Sequence, residues 1–170
     1  REFLGYVMDA LERLQRLLNE LLDLSKIEGG EIEMHLEPVS LRDLLEREIK
    51  IFMPGAHEKK IELRLNAQRV PDISCDSDKI REVIANLLSN AIKYTAPEGR
   101  IVVLLNQTEE RINIEVSDNG IGIRKEDLPR VFQPFPHIEK PMSDEQDSTG
   151  LGLSLAKRIV EAHGGSVDVE

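Results

Sequence analysis

Glu82, Asn86, Asn90 and Lys93 are spaced four, four and three residues apart, so a helix would carry all four on one face. An Asn carboxamide offers a carbonyl oxygen to a hard cation without adding charge, and a Lys closing the row can reach a phosphate. Asn is a mediocre helix former, so two of them in a strong helix call for a chemical reason beyond a solvated face. In Asp118-Asn-Gly-Ile-Gly-Ile123 a β-branched run meets an acceptor-only carboxylate, which can receive an exocyclic amine such as that of adenine. Its two glycines let a backbone pass close to a ligand. Ser148-Thr-Gly-Leu-Gly-Leu153 opens a further helix, whose free amides and positive end suit a phosphate. It is not a P-loop, and it does not follow a strand as a dinucleotide fingerprint would. Singly these read as a polar face, a plain turn and a loop-to-helix junction. In this order they are parts for holding a nucleotide.

The elements that must position these residues can be read from pattern. Leu4, Val7, Leu11, Leu14, Leu18, Leu21 and Ser25 form a 3-4 seam in one long helix over residues 1 to about 28, ended by Gly29-Gly30. Extra leucines widen the stripe to suit a helical bundle, so a partner helix is expected from outside the chain or from a second copy. Glu31 to Glu37 alternates like a strand. Ser40 caps a helix to about residue 52, with Leu41, Leu44, Leu45, Glu48 and Ile49 in period and Pro54-Gly55 as its stop. Strands are expected at Lys60–Leu65 and within Val70–Cys75. Asp76 or Ser77 caps the amide-bearing helix, which buries Ile80, Val83, Ile84, Leu87, Leu88 and Ala91. Arg100–Asn106 and Arg111–Ser117 read as a hairpin, and a short helix is expected near Lys125–Val131. Residues 133–149 read as a long loop. Leu151–His163 is a helix ended by Gly164-Gly165, and Ser166–Glu170 begins a strand.

The chain has 170 residues, 40% hydrophobic and 32% charged, with a formal net charge of −10. That charge argues against a nucleic-acid partner. It also makes magnesium and a few placed cations necessary for holding a triphosphate. One cysteine, Cys75, excludes an internal disulfide and a Cys-based zinc site, and it reads as core packing. The four His, at 35, 57, 137 and 163, show no metal-ligand spacing. No apolar run approaches the ~20 residues that span a bilayer, and no signal peptide is evident. The expected location is therefore cytoplasmic, although the intact protein could be membrane-anchored.

These residues resemble the ATP-binding catalytic domain of two-component sensor histidine kinases. Asn86–Thr95 resembles the family's N box, Asp118–Ile123 its first Gly box, Val131-Phe-Gln-Pro-Phe135 its Phe box, and Thr149–Leu153 its second Gly box. Leu21-Leu-Asp-Leu-Ser-Lys-Ile-Glu28 resembles the end of the second helix of the dimerisation and phosphotransfer hairpin. The resemblance implies two regions, residues 1–29 from that hairpin and residues 31–170 as the catalytic domain. It implies an α/β (α+β) two-layer sandwich of the Bergerat/GHKL type, a mixed sheet with helices on one face, shared with gyrase, Hsp90 and MutL. Asn90, aided by Asn86, would ligate magnesium. Lys93 would contact phosphate, Tyr94 would line the pocket and Asp118 would bind adenine. Gly120, Gly122 and Ile123 would border the purine. Thr149, Gly150, Leu151, Gly152 and Leu153 would hold the phosphates, with residues 133–149 as a lid anchored by Phe132 and Phe135. Related ATPases carry Glu at the place of Asn86, where a carboxylate can activate water, and an amide cannot act as that base. Glu82, one turn earlier, could orient an acceptor.

The implied reaction is transfer of the γ-phosphoryl of Mg-ATP to a His on a dimerisation domain of the same protein. The implied partners are that domain, a response regulator receiver domain and a second copy through the bundle. The family's acceptor His motif, of the type His-Glu-x-x-Thr/Arg-x-Pro, is missing, and Pro136-His137 stands where many relatives have an Arg after the Phe box, with Lys140 a possible substitute. The expectation is a catalytic fragment that binds ATP without phosphorylating itself. The alternatives are a nucleotide-sensing pseudokinase, a related ATPase, or an anti-sigma-type serine kinase.

Overall fold

The computed structural model describes residues 34–136 and 150–170, together with Leu11, Leu14, Gln15 and Leu18, which are helical. The three leucines are about half exposed, in keeping with a stripe built for a partner. The rest of the expected N-terminal helix, its Gly29-Gly30 stop, most of the expected 133–149 loop, and Thr149 lie outside the described residues. The chain divides into two units. One is Met34–Ile123, and the other combines Arg1–Glu33 with Arg124–Glu170.

In the first unit the order is β1 (Glu37–Val39), α1 (Leu41–Glu58), β2 (Glu62–Ala67), β3 (Ile73–Cys75), α2 (Ser77–Tyr94), β4 (Arg100–Gln107) and β5 (Ile112–Asp118). Strand β4 pairs parallel with β2 and antiparallel with β5, giving a mixed sheet, while β1 and β3 form a separate antiparallel pair. Alternation along β4 turns Ile101, Val103 and Leu105 inward, all fully buried. Leu44, Leu45 and Ile49 of α1 and Ile84 and Leu88 of α2 share a core with Val103 and Leu105. The unit is thus α+β, with both helices packed on one face of the sheet. Buried Glu48 accepts from Arg81 Nε at 2.9 Å, tying α1 to α2. That bond, and then the carboxylate's charge, raises the Arg81 guanidinium above its ordinary range. Cys75 is 1% exposed, as core packing requires.

Ser40 and Asp76 are the N-caps: Ser40 Oγ accepts from Asp43 N at 3.3 Å and Asp76 Oδ1 from Lys79 N at 3.0 Å. Two boundaries differ from the sequence reading. Helix α1 runs through Pro54 to Glu58. Proline forfeits one helical hydrogen bond, but the following turn is held by packing, because Ala56 is buried in a cluster with Ile61, Ala91 and Ile101. The helix stops at a Schellman motif, with Ile61 N bonded to Ala56 O at 2.8 Å and Lys60 N to His57 O at 2.9 Å. Lys60 takes the left-handed conformation, at φ 55°. The expected strand at 31–37 is the second difference. Residues 31–33 lie outside the described residues; among the described ones pairing occurs only at Glu37–Val39, where β3 supplies a ladder, and Met34–Leu36 are irregular.

In the second unit, Leu128–Arg130 is a single 3-10 turn where a short helix was expected, and α3 spans Gly152–Ala162. Helix α3 ends at Gly164 (φ 76°), with Gly165 N bonded to Val160 O at 2.9 Å, as the Gly-Gly signal predicted. Residues 166–170 are not a strand, since none of the described strands pairs with them. Only an alternation of half-buried Val167 and Val169 remains of that pattern. No helix among the described residues is long and apolar enough to cross a membrane.

Candidate nucleotide site

Helix α2 buries Val83, Ile84, Leu88 and Ala91 and leaves Glu82, Asn86, Asn90 and Lys93 half-buried along another face. The apolar stripe fixes the helix on the sheet and so fixes the direction of the polar row. Neither Asn86 nor Asn90 makes a side-chain hydrogen bond among the described residues. Half-buried amides without protein partners are donors and acceptors left for another molecule. Glu82 Oε2 pairs with Lys79 Nζ at 3.2 Å. Lys93 Nζ lies 5.5 Å from the centroid of the Tyr94 ring.

The acidic glycine turn follows directly from β5. Asp118 is exposed, and its Oδ1 accepts from Gly120 N at 2.9 Å, which fixes the carboxylate against its own turn. Asn119 Oδ1 accepts from Arg100 N at 2.7 Å and pins the turn to the start of β4. Ile121 N donates to Tyr94 O at 3.2 Å. A Cβ on Gly120 would lie 2.4 Å from Tyr94 O, so only glycine permits this approach. Gly122 is required for a different reason: the space around it is open, but its φ is 69°. Ile121 and Ile123 are exposed at 61% and 41%.

In the second unit the residues expected at a phosphate surround the start of α3. Leu151 is the N-cap, and its own side chain makes no capping hydrogen bond. Ser154 Oγ donates to Leu151 O at 2.7 Å. The positive end of a helix dipole favours an anion in general. Gly150 has φ 76°, and its carbonyl accepts from Phe135 N at 3.0 Å, joining the expected Phe and second Gly boxes. Phe132 lies under Lys157 Nζ at 5.6 Å, whereas Phe135 is half exposed. Gly152 and Leu153 form the first turn of α3. His137, Lys140 and Thr149 lie outside the described residues.

No cluster of three His, Cys, Asp or Glu that could hold a metal occurs among the described residues. The neutral amides of Asn86 and Asn90 fit a magnesium ion that brings most of its ligands as phosphate oxygens and water, as this ion commonly does. A shallow concavity of about 610 Å³ along His57, Glu58, Lys60, Ile61 and Glu62 contains none of the candidate residues.

Sequence reasoning missed Asn119, Lys59 and Thr95. Asn119 was legible as the centre of an Asp-Asn-Gly turn, where Asn side chains bond backbone. Lys59 donates to Ile92 O at 2.9 Å and Lys93 O at 3.0 Å, a contact between residues over thirty positions apart that no local signal announces. Thr95 is 2% exposed, and its hydroxyl has no partner among the described residues.

Residues 75–170 match the family described as histidine kinase-, DNA gyrase B-, and HSP90-like ATPase. Over 99% of its length the chain is 38% identical to the sensor protein GacS of Pseudomonas syringae pv. syringae, covering 19% of that protein. It is 35% identical, over its whole length, to the circadian input-output histidine kinase CikA of Synechococcus elongatus, covering 23% of it. The chain thus spans about a fifth of the curated relatives it matches. A crystal structure of full-length ShkA in complex with AMPPNP superposes with a TM-score of 0.83 at 27% identity, over 96% of this chain and 34% of that one.

Proposed function

Because this chain belongs to the histidine kinase-, DNA gyrase B- and HSP90-like ATPase family, as the catalytic ATPase domain of a sensor histidine kinase, we propose that it binds Mg-ATP and presents the γ-phosphoryl to a histidine of the same protein's dimerisation domain. The observation that carries this reading is the junction of α2 with the acidic turn. There a helix bearing two amides without partners among the described residues, and a lysine, meets a glycine turn bearing an exposed, oriented carboxylate.

In this proposal Asp118 accepts the exocyclic amine of adenine through the oxygen not used by Gly120. Tyr94 and Ile123 cover the base, and Gly120 and Gly122 let the purine approach. Lys93 contacts phosphate, and Gly150, Leu151, Gly152 and Leu153 at the start of α3, with Thr149, receive phosphate oxygens. Asn90, with Asn86, holds magnesium, which neutralises the triphosphate when bound. In the transfer the bond from the γ-phosphorus to the bridging oxygen breaks as a bond to the imidazole nitrogen forms. ADP keeps the electron pair, and the ring proton passes to solvent. Such a reaction needs positioning and charge neutralisation more than covalent help. Asn86 supplies no base to activate water, which favours the imidazole over hydrolysis. Relay to a response regulator, and pairing of two copies through a helical bundle, complete the proposed role of the whole protein.

The test mixes this chain with a separate hairpin carrying the acceptor His and γ-labelled ATP. The expected product is an acid-labile, base-stable phosphoramidate on the hairpin. Nucleotide binding without transfer, to several hairpins of the family, would indicate a sensing module instead.

A further inference from the structure

An α-helix leaves its last four carbonyls without helical partners. In α2 these belong to Ala91, Ile92, Lys93 and Tyr94, and all four are occupied. Thr95 N donates to Ala91 O at 3.0 Å, and Ile121 N donates to Tyr94 O at 3.2 Å. The two between them are both taken by one ammonium, Lys59 Nζ, at 2.9 Å to Ile92 O and 3.0 Å to Lys93 O. The cation sits where the negative end of the helix dipole favours it.

Lys59 is itself fixed. It is the C-cap residue of α1, with its amide 3.4 Å from Gly55 O. Its carbonyl accepts from Glu98 N at 3.1 Å, and Glu62 N donates to Gly99 O at 2.9 Å, so the turn after α1 clasps the turn after α2. The far side of that turn is held by the Asn119 bond to Arg100 N. The last turn of α2 is therefore gripped from one side by a lysine and from the other by the acidic glycine turn. Lys93 and Tyr94, the residues it carries, are those assigned to phosphate and base.

We propose that Lys59 is a positioning residue of the nucleotide site: its ammonium holds the last turn of α2, which aims Lys93 and Tyr94 and seats the acidic glycine turn on Tyr94 O. This inference rests on the nucleotide reading above. Without the ammonium, two carbonyls at a helix end turn to water and the final turn loosens. Ala91 of that turn packs with Ala56, Ile61 and Ile101, whereas Val103 and Leu105 belong to a separate cluster with Leu44, Leu45, Ile49, Ile84 and Leu88.

The test compares the 170-residue chain with its Lys59→Met, Lys59→Arg and Lys60→Gly variants, using Mg-ADP titration and amide hydrogen exchange on fully folded samples. Lys59→Met should weaken ADP binding about tenfold, the effect of losing two charge-assisted hydrogen bonds at the site's edge. It should also deprotect the Ile121 amide while Val103 and Leu105 keep their protection. Lys59→Arg, which retains charge and donors, should stay within about threefold of the parent. Lys60→Gly should bind as the parent does. Unchanged affinity in Lys59→Met, or a loss matched by deprotection of Val103 and Leu105, overturns the inference and leaves the nucleotide reading standing. A parent chain that binds no ADP overturns that reading and the inference with it.

Discussion

Ile121 N donates to Tyr94 O at 3.2 Å, so the acidic glycine turn rests on the last residue of the amide-bearing helix. The two motifs lie more than twenty positions apart, yet a backbone hydrogen bond joins them directly, while Asn119 ties the same turn to Arg100 of β4.

Gly120 and Gly122 should respond differently to alanine. In Gly120→Ala the new Cβ would lie 2.4 Å from Tyr94 O, a backbone atom, so the turn must lift away. ADP affinity is expected to fall at least about tenfold, with loss of the Ile121–Tyr94 bond. Gly122→Ala meets no neighbour but holds a left-handed φ, and should cost about 1–2 kcal/mol of stability. Thermal melts and calorimetric titrations of both variants check the contrast.

Asn90→Ala should separate stability from chemistry. Its amide has no hydrogen bond among the described residues, so folding stability should change by only about 0.5 kcal/mol. Transfer from Mg-ATP to an acceptor hairpin should drop by about 100-fold, as expected for a lost metal ligand in a reaction governed by charge neutralisation. Single-turnover assays at saturating ATP read the effect.

Lys60 occupies the left-handed position of the Schellman motif that ends α1, at φ 55°. Glycine adopts that conformation without the steric penalty of a Cβ. Lys60→Gly should therefore stabilise the chain by up to about 1 kcal/mol, and its exposed pair with Glu98 contributes too little to reverse the sign. Chemical denaturation with the slope held common to both proteins tests this.

The buried Cys75 thiol is raised above its ordinary 9.0, first by desolvation and then by the charges of Asp76 and Glu37. Folding thus holds the thiol protonated. The associated stability is present below the unfolded pKa and is lost as pH rises through the folded one. At pH 8, alkylation by iodoacetamide should be slow in the native state and accelerate with denaturant. Mass spectrometry of quenched samples should show the modification tracking unfolding.

Several elements were legible because local chemistry and packing agree there. Asp76 and Ser40 cap as their side chains predict, and the period of Val83, Ile84, Leu88 and Ala91 fixes the face opposite Asn86 and Asn90. Pro54 misled because a local rule was outweighed by burial of Ala56 with Ile61, two residues whose contact depends on Ala91 and Ile101 from other elements. Met34–Leu36 alternate like a strand, but pairing is set by the short reach of β3. Lys59 was invisible for the same reason: its partners are carbonyls, which are the same in every residue and carry no sequence signal. Candidate site residues stood out where glycine, amide and carboxylate types were unusual for their element, as at Asn90 and Gly120.

The central claim is tested most directly by calorimetric titration of the folded 170-residue chain with ADP and with a non-hydrolysable ATP analogue, each with and without magnesium. The account predicts saturable 1:1 binding strengthened by magnesium, and loss of that strengthening in Asn90→Ala. Folded protein that gives no binding heat with either nucleotide in the presence of magnesium, and no shift in its melting temperature, would contradict it.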